Sequence, residues 1–223
     1  MPLDLAIRYA PIVEFVRRQR PASILEVGSG VHGIAYYLED LSIVGTDVKF
    51  RERPQNNMRA VASSAEALPF HDRSFDLVIS SDMMEHLPAA IRADVVKEML
   101  RVARRHLVIG FPSGLIAQRH DFQLRKALQK KGMTLNWLEE HVRHEYPTSK
   151  TILSALHQNG VRYRVIRNAN WRLHWTVAFL QLHPQFNWVI SHLRLDTLKA
   201  MYLLAPILHR GPTYREILFI ERT

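Results

Sequence analysis

Ser23-Ile24-Leu25-Glu26-Val27-Gly28-Ser29-Gly30-Val31-His32-Gly33 joins an apolar run to three glycines. Ile24, Leu25 and Val27 predict a buried strand, and the glycines let the backbone turn sharply and pass close to a ligand. The residues from His32 to Glu39 are expected to open a helix. Its free N–H groups would face that turn and favour a carboxylate or phosphate there.

Gly28, Gly30 and Gly33 by themselves match the glycine fingerprint of dinucleotide-binding folds. Glu26 argues against that ligand, because a carboxylate two positions before the first glycine repels a pyrophosphate and suits a cation. Ile43-Val44-Gly45-Thr46-Asp47 reads as a second strand ending in an acid that can take both hydroxyls of a ribose. Asp47 is compatible with either kind of nucleoside cofactor.

A third group of residues decides between them. Ser63-Ser64-Ala65-Glu66-Ala67-Leu68-Pro69-Phe70, then Phe75-Asp76-Leu77-Val78-Ile79-Ser80-Ser81, then Glu85-His86-Leu87-Pro88 follow in order. Together with the glycine turn and Asp47, they make residues 20 to 112 resemble the class I S-adenosylmethionine-dependent methyltransferases of the type 11 kind. The resemblance implies an α/β fold: a doubly wound, Rossmann-like, seven-stranded sheet, mostly parallel with an antiparallel last strand. It also implies S-adenosylmethionine as cofactor. Glu26 would then hold the methionine amino group, with Gly28, Ser29 and Gly30 beneath the methionine part. Asp47 would bind the ribose, Ser64 and Ala65 would face the adenine, Ser80 would close the pocket, and Val48 and Glu66 would also belong to the cofactor site. Many relatives carry an acid where this chain has Ser64.

The chain has 223 residues, 47% hydrophobic and 23% charged, which suits one α/β domain with appendages. Cysteine is absent, which excludes disulfides, thiolate metal sites and a cysteine nucleophile and leads us to expect a cytoplasmic location. The N-terminus shows no signal-peptide pattern, and no apolar run is long enough to span a bilayer. The formal charge of +9, from 30 basic and 21 acidic residues, could serve nucleic acid, an anionic membrane surface, a phosphorylated substrate or simply solubility. The arginines are dispersed rather than gathered in one tract, so no nucleic-acid arm is indicated.

Further along, helical spacing predicts a helix over residues 3 to 19 lying across the cofactor cleft, and another from Pro88 to Arg104 with Arg104 and Arg105 at its negative end. Leu107 to Pro112 reads as strand five, Tyr163 to Arg167 as strand six and Tyr214 to Glu221 as strand seven. Thr148 should cap a helix from Ser149 to Gln158, with Gly160 as its stop. Residues 113–147 form a lid-like insertion whose Trp137-Leu138 and Glu140-His141 are similar to a segment in relatives found beside polysaccharide-assembly enzymes. Residues 170–212 form a second, helical insertion, with Phe186 to Leu208 reading as two amphipathic helices or one broken near Asp196. It is expected to pack as a cap, with a homodimer surface or a peripheral membrane contact as alternatives.

Methyl transfer from a sulfonium is an in-line displacement, so a base is needed where the acceptor is a hydroxyl. His86 is the candidate base, because Ser80 to Leu87 leaves the sheet at the carboxyl ends of the strands, where open α/β folds bind ligands. A capping or packing role for Glu85 and His86 stands beside it. His141 and His144 share a helical face; we expect no metal there and keep His144 as a second candidate for substrate contact. The expected reaction is O-methylation of a small molecule or of a glycan or lipid-linked saccharide. RNA or protein methylation is the alternative, although strand four lacks the Asn/Asp-Pro-Pro-aromatic motif of amino-group methylation. A nicotinamide-dependent oxidoreductase would rest on the glycines alone.

Overall fold

The computed structural model of the chain describes residues 3–156, 160–180, 183, 185–186 and 197–222. The strands are β1 (Ile24–Val27), β2 (Ile43–Asp47), β3 (Met58–Ala62), β4 (Phe75–Ser81), β5 (Ala103–Pro112), β6 (Val161–Asn170) and β7 (Thr213–Arg222). They form one sheet in the order β3-β2-β1-β4-β5-β7-β6. β1 to β5 pair in parallel, and β7 runs antiparallel to both β5 and β6. The fold class expected from the sequence is therefore found. The strand order reverses at β1, so β1 and β4 part at their carboxyl ends and leave the crevice where such sheets bind ligands.

The helices are α1 (Leu3–Gln19), α2 (Ala89–Val102), α3 (Gly114–Gln129), α4 (Asn136–His141), α5 (Ser149–Ser154), α6 (Trp171–Leu180) and α7 (Thr197–Leu208). β4 is buried at all seven positions because helices cover both faces of the sheet. On one face α2 and α5 bring Val95, Val96, Met99 and Ile152 against Val78 and Leu107. On the other α1 brings Tyr9, Ile12, Val13 and Val16 against Leu77 and Ile79. A third cluster joins Ala6 and Ala10 of α1 to Ala117 of α3 and to Met201 and Leu208 of α7.

Several boundaries differ from the sequence reading. The expected helix after the glycine turn is a single 3-10 turn, Ile34–Tyr37, because the chain must re-enter the sheet at Ile43. No helix separates β2 from β3 or β3 from β4. α2 ends at Val102, and Arg104 lies in β5. There it donates to the Arg73 carbonyl and to Asp76 and caps no helix. Thr148 caps α5 with a reciprocal box, its hydroxyl accepting from the Thr151 N–H. That helix ends at Ser154, and residues 157–159 lie outside the described residues. The segment from Phe186 to Leu208 is described as a helix from Thr197 onward, and its break near Asp196 falls outside the described residues.

Candidate active site

The glycine turn crosses the carboxyl end of β1. Gly28, Gly30 and Gly33 all have positive φ, at +74°, +56° and +50°. The N–H groups of Gly28 and Ser29 both donate to the Thr46 carbonyl, at 2.8 and 3.0 Å, and so tie the turn to β2. Asp47 ends β2 and accepts from the Gly30 N–H at 3.0 Å through one oxygen. A side chain on Gly30 would meet nothing within 4 Å, so the turn borders open space.

That space is a cavity of about 550 Å³, within the usual range of small-molecule sites. Of the residues singled out in the sequence, Gly28, Ser29, Gly30, Asp47, Val48, Ser64, Ala65, Glu66 and His86 line it. Val48, 78% exposed, offers an apolar surface beside Asp47. The cavity also takes in Arg8 and Tyr9 of α1, so this helix does border the cleft.

Three expected contacts lie elsewhere. Glu26 is fully buried beneath the turn, where its carboxylate accepts from the Tyr9 hydroxyl at 2.8 Å and from the Ile34 N–H at 2.7 Å. Burial pushes its pKa up to about 7 against the pull of those two donors. Ser80 is buried with its hydroxyl against the Met83 sulfur and does not border the cavity. His144 is half-buried just beyond α4 and does not border it either.

Other residues at the cavity went unremarked in the sequence. Arg8 Nε, Ser63 Oγ and Ser81 Oγ are buried without a hydrogen-bond partner, and all three residues line the cavity. Buried polar atoms without partners are costly, so these three suit a polar ligand in the cavity. Arg8 sits in the apolar stripe of an amphipathic helix, and this misplaced charge is the signal the sequence offered. A nucleoside donor with a charged amino-acid tail fits this wall. Asp47 and Val48 would take the ribose, the backbone of the turn would pass under the tail, and Arg8 would meet its carboxylate.

At the far wall, a polar chain runs through the protein. Glu140 Oε2 lies 2.9 Å from His86 Nδ1, and His86 Nε2 faces His141 Nε2 at 3.2 Å. His141 Nδ1 lies 2.9 Å from Asp121 Oδ2. Asp121 also receives the hydroxyls of Tyr146 and Tyr214 and a bond from His120. Against the burial that would raise it, these hydrogen bonds from His120 and His141 hold the Asp121 carboxyl well below the usual range. His120 passes the chain to His174 of α6, which reaches Asp4 of α1.

The protons along this chain can be assigned. Both carboxylates accept, so each Nδ1 is a donor, and one further proton must lie between the two Nε2 atoms. Burial and the neighbouring His141 charge push the His86 pKa down. Asp121 and Glu85 raise that of His141 in spite of its burial. The shared proton therefore belongs to His141 Nε2, which donates to His86. Both nitrogens of His86 are thus engaged, a point that the sequence reading of it as a base did not foresee.

Asp82 and Glu85 complete the wall. Asp82 turns away from β4 with φ at +52° and is gripped by Arg215 of β7, with Nε and Nη2 donating at 2.6 and 2.5 Å. Arg8 adds a further ion pair to it at 3.2 Å. Glu85 is buried, and neither of its oxygens receives a hydrogen bond. Burial, with the Asp82 charge nearby, pushes its pKa up to about 8.

Part of the chain matches a known family. Residues 25–109 match a family model described as a methyltransferase domain. Over those residues the chain is similar to the S-adenosylmethionine-dependent class I methyltransferases, and S-adenosylmethionine is the cofactor its turn, ribose acid and cavity fit. The chain is 30% identical over 115 residues to the chloroplastic tocopherol O-methyltransferase of Arabidopsis thaliana, an alignment that takes in 45% of this chain. It spans only 32% of the length of that relative. Among solved structures, magnesium protoporphyrin IX methyltransferase from Synechocystis PCC 6803, with bound SAH, aligns over 96% of this chain and 81% of its own. Its TM-score is 0.56 at 14% identity. The methyltransferase domain of bacterial CtHen1 aligns over 99% of this chain and 98% of its own, with a TM-score of 0.61 at 12% identity. At such identities the solved structures speak for the fold. Among the described residues no helix is long and apolar enough to cross a membrane.

Proposed function

We propose that the protein transfers the methyl group of S-adenosylmethionine to a hydroxyl of a small-molecule acceptor, with a saccharide as the favoured kind. The observation that carries this reading is the continuity of one cavity, from Asp47 and the glycine turn to His86 and Glu140. Donor and acceptor would meet inside it, which is what an in-line displacement requires. The likeness to a tocopherol O-methyltransferase supports an oxygen acceptor. Exposed Glu66 and half-exposed Glu140, at the rim, are suited to accept hydrogen bonds from the other hydroxyls of a sugar.

In this reading residues 113–147 form the lid over the acceptor side, because α4 carries Glu140 and His141 to His86. Residues 170–212 form a cap whose α6 anchors to Asp4 through His174. Leu203, Leu204 and Ile207 of α7 remain exposed, an apolar surface of the kind a second copy or a membrane interface would cover. His86 borders the acceptor end of the cavity, and the His141 to Asp121 chain sets its orientation.

Calorimetric titration with S-adenosylmethionine and S-adenosylhomocysteine, with Asp47→Ala as control, tests the donor site. Radiolabelled donor offered to sugars, lipid-linked sugars and phenols then tests the acceptor class. Label on sugar or phenol hydroxyls is the expected result. Donor binding with label on none of these would overturn the oxygen-acceptor reading, and no donor binding in a folded sample would overturn the whole proposal.

A further inference from the structure

Three side chains at the far wall bring potential ligand atoms together. Glu85, His86 and His141 each offer one ligand atom, and these atoms lie within 4.8 Å of one another. The His86 and His141 Nε2 atoms are 3.2 Å apart, and His141 Nε2 is 3.5 Å from Glu85 Oε1. Ligands held about 2.1 Å from a tetrahedral ion lie about 3.4 Å from each other, so these two distances are those of a coordination shell.

The groups behind the two imidazoles have the same character. His86 Nδ1 is bound to Glu140 and His141 Nδ1 to Asp121, which fixes both rings with their Nε2 atoms turned inward. Carboxylates behind histidines in this way orient metal ligands and raise their basicity. Glu85 adds an independent observation, since it is 1% exposed and both its oxygens lack hydrogen-bond partners. Packing or capping alone would leave that carboxylate with the ion pair to His141 and no hydrogen bond.

We infer that Glu85, His86 and His141 form a binding site for one divalent first-row transition ion, with a position left open toward the cavity. Two imidazoles and one carboxylate suit manganese, iron, cobalt or zinc rather than magnesium or calcium, which prefer all-oxygen shells. The ion would replace the proton shared by the two rings. His86 borders the cavity, so an ion on it could take an acceptor hydroxyl as a further ligand and favour its alkoxide. That last role rests on the proposed methyl transfer, whereas the binding site does not.

The test is metal binding by the full, tag-free chain with neither donor nor acceptor present, so that its outcome is separate from that of the methyl transfer assay. Equilibrium dialysis against manganese, cobalt and zinc measures stoichiometry, and visible absorption of the cobalt form reports geometry. One ion per chain is expected, with affinity reduced at least a hundredfold in both Glu85→Gln and His86→Ala. His86 is partly exposed, so His86→Ala should fold even if Glu85→Gln does not. No binding of the three ions by the folded protein would overturn the site. Binding unaltered by His86→Ala would overturn it too, by placing the ion elsewhere, for example between His120 and His174.

Discussion

Arg215 grips Asp82 with two hydrogen bonds across 133 residues of sequence, with its guanidinium 1% exposed. This pair fastens β7 to the turn that follows β4, and through Arg8 it also holds α1 beside the cavity. Burial would raise the Asp82 pKa, and Arg215 and Arg8 bring it below its ordinary value.

Removing one partner of a buried pair strands the other. Arg215→Met should therefore destabilise the protein by about 3–5 kcal/mol, measured by urea denaturation. Arg215→Lys should recover only part of that loss, because an ammonium cannot make both bonds to the carboxylate.

Asp47 acts on the donor and on the glycine turn together, since it also accepts from the Gly30 N–H. Asp47→Ala is expected to weaken binding of S-adenosylhomocysteine at least tenfold by calorimetry. Its side chain is only partly buried, so circular dichroism should show an unaltered fold.

The glycines should differ in their tolerance of a methyl group. A Cβ on Gly33 would lie 2.2 Å from a Glu26 carboxylate oxygen, which two donors already hold in place. At Gly30 the added carbon meets open space and only the positive φ opposes it. Gly30→Ala should cost about 1–2 kcal/mol and Gly33→Ala distinctly more, as read from thermal unfolding.

Glu26 should leave a mark on the pH dependence of stability. Its folded pKa, raised to about 7 from an ordinary 4.5, means that the native state holds this proton more tightly than the unfolded chain. That contribution is fully present below the unfolded value and is lost as pH rises through the folded one. Without donor, the unfolding free energy should thus fall between about pH 4.5 and 7, by up to about 3 kcal/mol from this group. Glu26→Gln should flatten that slope in a pH series of denaturant titrations.

The donor side of the cavity was legible because its signals are local. A strand, a glycine turn and an acid at the end of the next strand are set by backbone conformation and period, and β1 pairs with β2 in the register that brings Asp47 to Gly30. The exact role of Glu26 was less legible, since Tyr9 and Ile34, which occupy its oxygens, come from different elements. Helix ends were misjudged where β5 competes, as at Arg104, because ladder hydrogen bonding overrides a helical apolar period.

The sequence by itself determined the sheet, its order of elements and the nucleoside side of the cavity, since short-range spacing and apolar periodicity encode them. Only the tertiary structure decided the other wall. His86 and His141 are 55 residues apart, and Asp121 joins them from α3. No local pattern marks such a meeting. It follows from packing α3 and α4 over the end of β4, where buried groups must find hydrogen-bond partners or, like Glu85, rely on an ion pair alone.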